Sequence, residues 1–411
     1  MEYISSDHWA TLNYAALAIP AFFIFTGLEY AAALRQKKPH LFKFDSSVAN
    51  ISIGVAERLL NLFLTASFYG LFQYVYTHFA VWSIPNTWWV WVIMLLATDL
   101  VWYWYHRFGH EINLFWAAHI VHHQSEEFNY TVSARITTLQ ALIRNLFWCI
   151  LPLAGFHPDM VIATLIIHGT YSFFTHTQLI GKLGWLEYIL ITPSHHRVHH
   201  ASNEKYLNKN YGDLFVFWDK LFGTFQREEE EPVYGLTHPL KSYSFIWQHV
   251  HYFLELGLAV RRTPGFLRKL KIIFGNPELL DQNLRAALEQ KFLPHKEEPK
   301  PRIRHKAYVL IQVVLVIIIA FILTLFYRHL DTPDVLTGVL FVAITLINCG
   351  ALLEQRHWIY YLEQVRLVLL SGYLAYTFDQ PVWLAAGVIV STLMLWPAWP
   401  ARKWFLEFIY G

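Results

Sequence analysis

Three observations predict an all-α, multi-span integral membrane protein with a histidine-rich cap on its cytoplasmic side. Of 411 residues, 55% are hydrophobic and 17% aromatic, but only 15% are charged, where soluble domains carry about 25%. The apolar residues fall in long blocks instead of spreading evenly, which is the pattern of chains that cross a bilayer. Two dense histidine sets, between His106 and His123 and between His195 and His200, lie outside those blocks.

A helix needs about 20 apolar residues to cross a membrane. Leu12 to Leu34 satisfies this and ends in the basic run Arg35, Lys37, Lys38 and Lys43. It lacks a basic start and a small-residue cleavage site, so it reads as a retained span, not a signal peptide. A second span runs from about Val48 to Phe72, with Glu57 and Arg58 near its start making it partly interfacial. Trp88 to Tyr105 is the third, capped by Arg107. Lys and Arg gather on one side of these spans, and the positive-inside rule makes that side cytoplasmic, histidines included.

From Leu139 to Thr177 the chain is apolar again but broken by Pro152, Gly155 and Pro158. Histidines flank both ends, so a hairpin that dips in and returns fits better than two short spans. Gly181 to Lys306 is polar and forms the cap. Within it, Pro264 to Phe274 alternates basic and apolar residues as a surface-lying amphipathic helix or an ordinary cap helix does. Further spans come at about Tyr308–Phe326, Val335–Leu353, Val365–Tyr376 and Val382–Trp399. The regions are then N-terminal spans (1–98), a histidine-box catalytic region (99–240), interfacial helices (241–306) and C-terminal spans (307–411). A net charge of +2 gives no reason to expect a nucleic-acid partner. Cys149 and Cys349 sit in apolar segments and suggest no disulfide.

The histidine spacing carries the chemistry. His106 and His110 are four apart and share a helix face. His119, His122 and His123 are spaced i, i+3, i+4, and His196, His199 and His200 repeat that spacing, which is read as turning three imidazoles toward one point. His176, at the end of the hairpin, is placed to reach the same site. These are nine preferred metal ligands, with His195 as an alternate or tenth. One tetrahedral zinc needs four protein ligands, so nine suit two ions and make the cap a di-metal one. Imidazole alone does not name the metal. Carboxylates are expected to offset the charge and fix the tautomers. Asp99, seven residues before His106, and Glu111, beside His110, are the candidates. His8, His40, His78, His157, His168, His249, His251 and His357 read as polar anchors at the interface, with an inward-facing role open for His168.

The series H-x3-H, H-x2-H-H and a distant H-x2-H-H resembles the fatty acid hydroxylase/sterol desaturase superfamily. The stretch from Asn208 to Phe225, N-K-N-Y-G-D-L-F-V-F-W-D-K-L-F-G-T-F, is similar to the segment after the last histidine box in that superfamily. Glu111, H-H-Q-S-E-E-F-N-Y-T-V-S-A-R from His122 to Arg135, and P-S-H-H-R-V-H-H most resemble the alkylglycerol monooxygenase (glyceryl-ether monooxygenase) branch. Gln124 stands where Ser is commoner, and Ser172 where some fatty acid hydroxylases carry another histidine.

The resemblance implies two iron ions, O2 as oxidant, a lipid substrate and, in this branch, a tetrahydropterin reductant. The attacked carbon is next to the ether oxygen, and the hemiacetal collapses to aldehyde and glycerol. Trp102, Trp104, Phe108, Phe115 and Trp116 are candidates to line a lipid slot or simply to pack. Glu126 and Arg135 are candidates to hold the cap or the reductant, or to make surface salt bridges. The chain is expected in a bacterial inner membrane or the endoplasmic reticulum. A hydroxylase or desaturase of sterols, fatty acids or carotenoids with a separate ferredoxin or cytochrome donor is the alternative. A metal transporter or sensor is the distant one, since transporter sites lie nearer the bilayer midplane on broken helices.

Overall fold

The computed structural model describes residues 12–281, 283–293 and 303–411. His8 and residues 294–302 of the expected cap lie outside them. Helices account for the fold: α1 (Ala18–Arg35), α2 (Phe44–Phe79), α3 (Trp88–Glu111), α4 (Asn113–His119), α5 (Thr138–Trp148), α6 (Ile150–Ala154), α7 (Pro158–Thr175), α8 (Pro193–His200) and α9 (Phe217–Phe222) precede α10 (Phe245–Arg262). Then come α11 (Phe266–Ile273), α12 (Asn283–Phe292), α13 (Ile303–Leu325), α14 (Thr332–Leu353), α15 (Ile359–Thr377), α16 (Val382–Leu395) and α17 (Ala401–Tyr410). Among the described residues no strand forms; two isolated antiparallel bridges pair Leu190 with Phe215 and Ala201 with Tyr234.

Among the described residues, four helical segments are long and apolar enough to cross a bilayer: Tyr14–Arg35, Phe44–Phe79, Arg304–Leu325 and Thr332–Leu353. The expected third span is the helix α3, but Trp and Tyr contribute little hydropathy and it does not reach that standard. The expected last span is shortened, because α16 stops at Leu395, before Pro397. Its Val382 and Ile389 are largely exposed, as a face toward lipid tails requires.

Helix α2 is the spine. Near its C-terminal end Phe72 packs with Val90 and Met94 of α3, Trp148 of α5, and Met160 of α7. Further toward its start, Val55, Leu59 and Leu62 pack against Val316 and Ala320 of α13 and Val342 and Leu346 of α14. The C-terminal spans therefore buttress the same helix that supports the histidine region. Glu57, expected to make this span partly interfacial, is buried and accepts a hydrogen bond from Asn61 one turn on.

The apolar break from Thr138 to Thr175 is a helical hairpin. Gly155 closes α6 at φ 114°, and a Cβ there would lie 2.0 Å from the Trp82 carbonyl oxygen. Only glycine fits both the left-handed backbone and that approach. Pro158 then starts α7 at a position where no N–H is needed. The hairpin brings His176 back to the level at which α3 ends.

Candidate metal centre

The site is built from four short pieces of chain. The end of α3 carries His106 and His110. Helix α4 and the 3-10 turn Ile120–His123 carry His119, His122 and His123. The residue after α7 is His176, and α8 carries His196, His199 and His200. Ile53 of α2, Ala117, Ile120, Val121 and Tyr252 of α10 pack together and seat the second piece. Thr192 and Pro193 start α8, with the Thr192 side chain accepting from the third helical N–H.

All nine preferred ligands converge, in two groups. His106, His110, His119, His123 and His199 form one; His122, His176, His196 and His200 form the other. Within each group the ligand-capable atoms lie within 4.8 Å of one another. This corrects the expectation that each triplet points to one place. In both triplets the residues divide between the groups. His119 and His123, four apart, stay together while His122 crosses over; His196 and His200, four apart, stay together while His199 crosses over. In α8, at about 100° per residue, i+4 lies only some 40° around the helix from i, while i+3 lies about 60° the other way; the first triplet divides likewise although His122 and His123 sit on a 3-10 turn. The triplets thus interleave two sites and stitch them together, with the His123 and His200 rings stacked 4.4 Å apart.

The spacings fit bound cations. His119 and His123 Nε2 are 3.1 Å apart, His122 and His176 Nε2 3.3 Å, and His176 and His196 Nε2 3.0 Å. Two nitrogens each about 2.1 Å from one ion at right angles would be about 3.0 Å apart. His110 Nε2, His199 Nε2 and His200 Nε2 are buried without any hydrogen-bond partner. Native interiors rarely leave such atoms bare without a ligand to fill them. Burial first, then the neighbouring imidazoles, holds His122, His123, His196 and His200 well below the usual 6.5, and burial pushes His176 down to about 4. Neutral imidazole is the form that ligates a metal.

The tautomers are set by backbone carbonyls. His106 Nδ1 donates to Tyr211 O at 2.9 Å, His199 Nδ1 to Lys209 O at 2.9 Å, and His176 Nδ1 to Ser172 O at 2.7 Å. Each leaves Nε2 free for an ion. Gln140 Nε2 is placed 3.0 Å from His119 Nδ1, while Gln140 Oε1 is buried and unpaired. Turning that amide over lets Nδ1–H donate to Oε1 and frees His119 Nε2 like the others.

The other expected residues fall elsewhere. His195 is not in either group: its Nδ1 accepts from the Thr192 N–H at 3.2 Å, capping α8. Asp99 and Glu111, expected beside the ligands, hydrogen-bond none of the nine. Asp99 accepts from Leu214 N, Phe215 N and Trp218 Nε1, and Glu111 pairs with Arg107 at 2.9 Å. Arg135 is buried, and its guanidinium donates to Val121 O, Asn50, Gln124 and Gln248, so it braces the second histidine piece from behind. Glu126 is exposed and lies against Gly235. Of the five aromatics, Trp116 meets ligand rings, 5.0 Å from His110 and 5.7 Å from His123. Trp102 stacks on His168, and Phe115 packs on Phe147.

His168, read as an anchor, is fully buried in a third group with Asp99 and Asp213. Its Nδ1 is 2.7 Å from Asp213 Oδ2, a hydrogen-bond distance, and 3.6 Å from Asp99. With Asp99 already holding three N–H donors, this group works as a clamp on the loop from Asp213 to Trp218. No local spacing links His168 to Asp213, 45 residues on.

A family model described as Fatty acid hydroxylase matches residues 91–224, which contain every histidine of the two groups. Over most of its length the chain is similar to three alkylglycerol monooxygenases. It is 33% identical over 368 residues to that of Homo sapiens, covering 87% of this chain and 81% of the relative. It is 32% identical over 375 residues to that of Danio rerio (88% and 83%) and 31% over 367 residues to that of Xenopus tropicalis (87% and 81%). No solved structure matches the chain significantly. The family match and these relatives make the chain an oxidoreductase of the lipid hydroxylase/monooxygenase type, and its membrane-grade helices and buried histidine cluster fit that class. Within that class, the chain belongs to the fatty acid hydroxylase family, in its alkylglycerol monooxygenase branch.

Proposed function

We propose that this protein is a membrane di-iron monooxygenase that cleaves the ether bond of alkylglycerols. The observation that carries the reading is the sorting of nine imidazoles into two adjoining groups, five and four, together with relatives named for that substrate over most of the chain. A bound pair of iron ions supplies the activation of O2 that no side chain provides. One oxygen atom of O2 enters the C–H bond next to the ether oxygen. The other leaves as water, taking two electrons and two protons from a tetrahydropterin. The resulting hemiacetal breaks its C–O bond and moves its hydroxyl proton to the leaving glycerol oxygen, giving a fatty aldehyde.

The side chains hold and shield. Neutral imidazoles bind the cations, the carbonyls of Tyr211, Lys209 and Ser172 keep each ring in its ligating tautomer, and Trp116 supplies an apolar wall. The four-histidine group has Ser172 one turn before His176, so it offers fewer protein ligands, as reaction centres with an open position do. The basic residues beside α1 and α3 orient the site to the cytoplasm, where a soluble reductant has access. The exposed Glu126 is our candidate for contact with it. The test is turnover under 18O2: the label belongs in the aldehyde, trapped as its alcohol. Unlabelled aldehyde would exclude the reaction.

A further inference from the structure

The two ligand groups differ in what stands behind them, and the difference traces to one carboxylate. Asp219, fully buried at α9, accepts from Tyr211 N (2.8 Å), Gly212 N (2.8 Å) and Thr224 Oγ1 (2.7 Å). The Gly212 N–H belongs to the same peptide unit as the Tyr211 carbonyl that takes the His106 Nδ1 proton. Carboxylate, peptide and imidazole therefore form a line: Asp219 Oδ2, H–N–C=O, H–Nδ1 of His106.

A carboxylate at the N–H end of a peptide draws that hydrogen toward itself and leaves the carbonyl a stronger acceptor, as in any hydrogen-bonded chain. A stronger acceptor at Nδ1–H makes the opposite nitrogen a better metal donor. Position 212 has to be glycine, since a Cβ there would lie 2.8 Å from Asp219 Oδ2. The same turn presents the Lys209 carbonyl to His199, with Asn208 and Asn210 at φ 58° and 54° to either side. Asn210 is locked to His195 O, Gln226 O and Gln226 N.

Both ligands served by this turn, His106 and His199, belong to the five-histidine group. In the other group His176 is served from its own helix by Ser172 O. We infer that Asp219 is a positioning residue for one ion of the pair: through the Tyr211–Gly212 peptide it strengthens and orients the five-histidine site and leaves the four-histidine site alone. This rests on the two-ion reading above.

The experiment is anaerobic titration of the metal-free full-length protein with 57Fe(II), read by Mössbauer spectroscopy and metal analysis. Wild type is expected to bind two ions with two distinguishable signals. Asp219→Asn, which sets an amide N–H against backbone N–H donors in either orientation, is expected to weaken one ion by about 10- to 100-fold and to shift only that signal. His106→Ala is expected to abolish the same signal. Thr224→Val keeps the carboxylate and removes one donor; it is expected to shift the same signal less, and it decides the matter if Asp219→Asn does not fold. Two ions with neither signal moved, or both moved equally, would overturn the inference while the two-ion reading stands. Fewer than two ions in wild type would overturn that reading instead.

Discussion

His196 Nε2 lies 3.0 Å from His176 Nε2, so the start of α8 meets the end of the apolar hairpin within one ligand group. Its neighbour His195 turns away to cap the helix. Adjacent histidines therefore have separable roles. His196→Ala is expected to lose one ion per chain and turnover by at least about 100-fold, by analogy with loss of a metal-site residue. His195→Ala is expected to keep both ions and lose about 1 kcal/mol of stability, the usual cost of a lost cap. Metal analysis and thermal unfolding in detergent separate the two; loss of metal on His195→Ala would contradict the assignment.

Gln140→Leu removes the hydrogen-bond partner of His119 Nδ1 in a buried position. Affinity for one ion is expected to fall about 10- to 100-fold, with the helices intact by circular dichroism. Unchanged metal binding would mean that His119 does not need its tautomer fixed there.

The histidine boxes were legible because i, i+3 and i+4 spacing shows on the page. Their division between two groups was not, since it depends on the angle between two helices that meet only in the fold. The tautomer partners were misread for a plainer reason. Sequence displays side chains, so Asp99 and Glu111 drew attention, whereas the acceptors are main-chain carbonyls of Lys209, Tyr211 and Ser172. Asp219 escaped notice, and for His168 an inward-facing role was open but its partners were not legible, because each acts on residues joined to it only by folding. The stretch from Trp88 forms the helix expected, but its Trp- and Tyr-rich composition keeps it below the hydropathy of a membrane span.

Gly155→Ala tests the hairpin. A methyl group would meet the Trp82 carbonyl in a backbone region that costs a non-glycine residue about 1–3 kcal/mol before any clash. The melting temperature is expected to drop while metal content per folded chain holds. No change in melting would place the turn elsewhere.

Metal-free protein should be sensitive to acid. Burial keeps His176 near 4, and burial with neighbouring imidazoles keeps His196 and His200 well below 6.5. Below 6.5 the unfolded chain takes up protons that the folded chain refuses. Stability therefore falls as pH drops from about 6.5 toward 4, by up to about 1.4 kcal/mol per pH unit for each such imidazole. Unfolding of chelated protein at several pH values checks this; a flat profile would mean the rings are not buried neutral.

The most direct measurement is oxygen-dependent turnover of an alkylglycerol by iron-loaded membranes, with reduced tetrahydropterin or reduced ferredoxin supplied separately. The expected result is fatty aldehyde with the pterin, none with the ferredoxin, and none after His123→Ala. Iron-replete protein that makes no aldehyde, but hydroxylates a sterol, fatty acid or carotenoid with ferredoxin, would contradict the ether-lipid assignment.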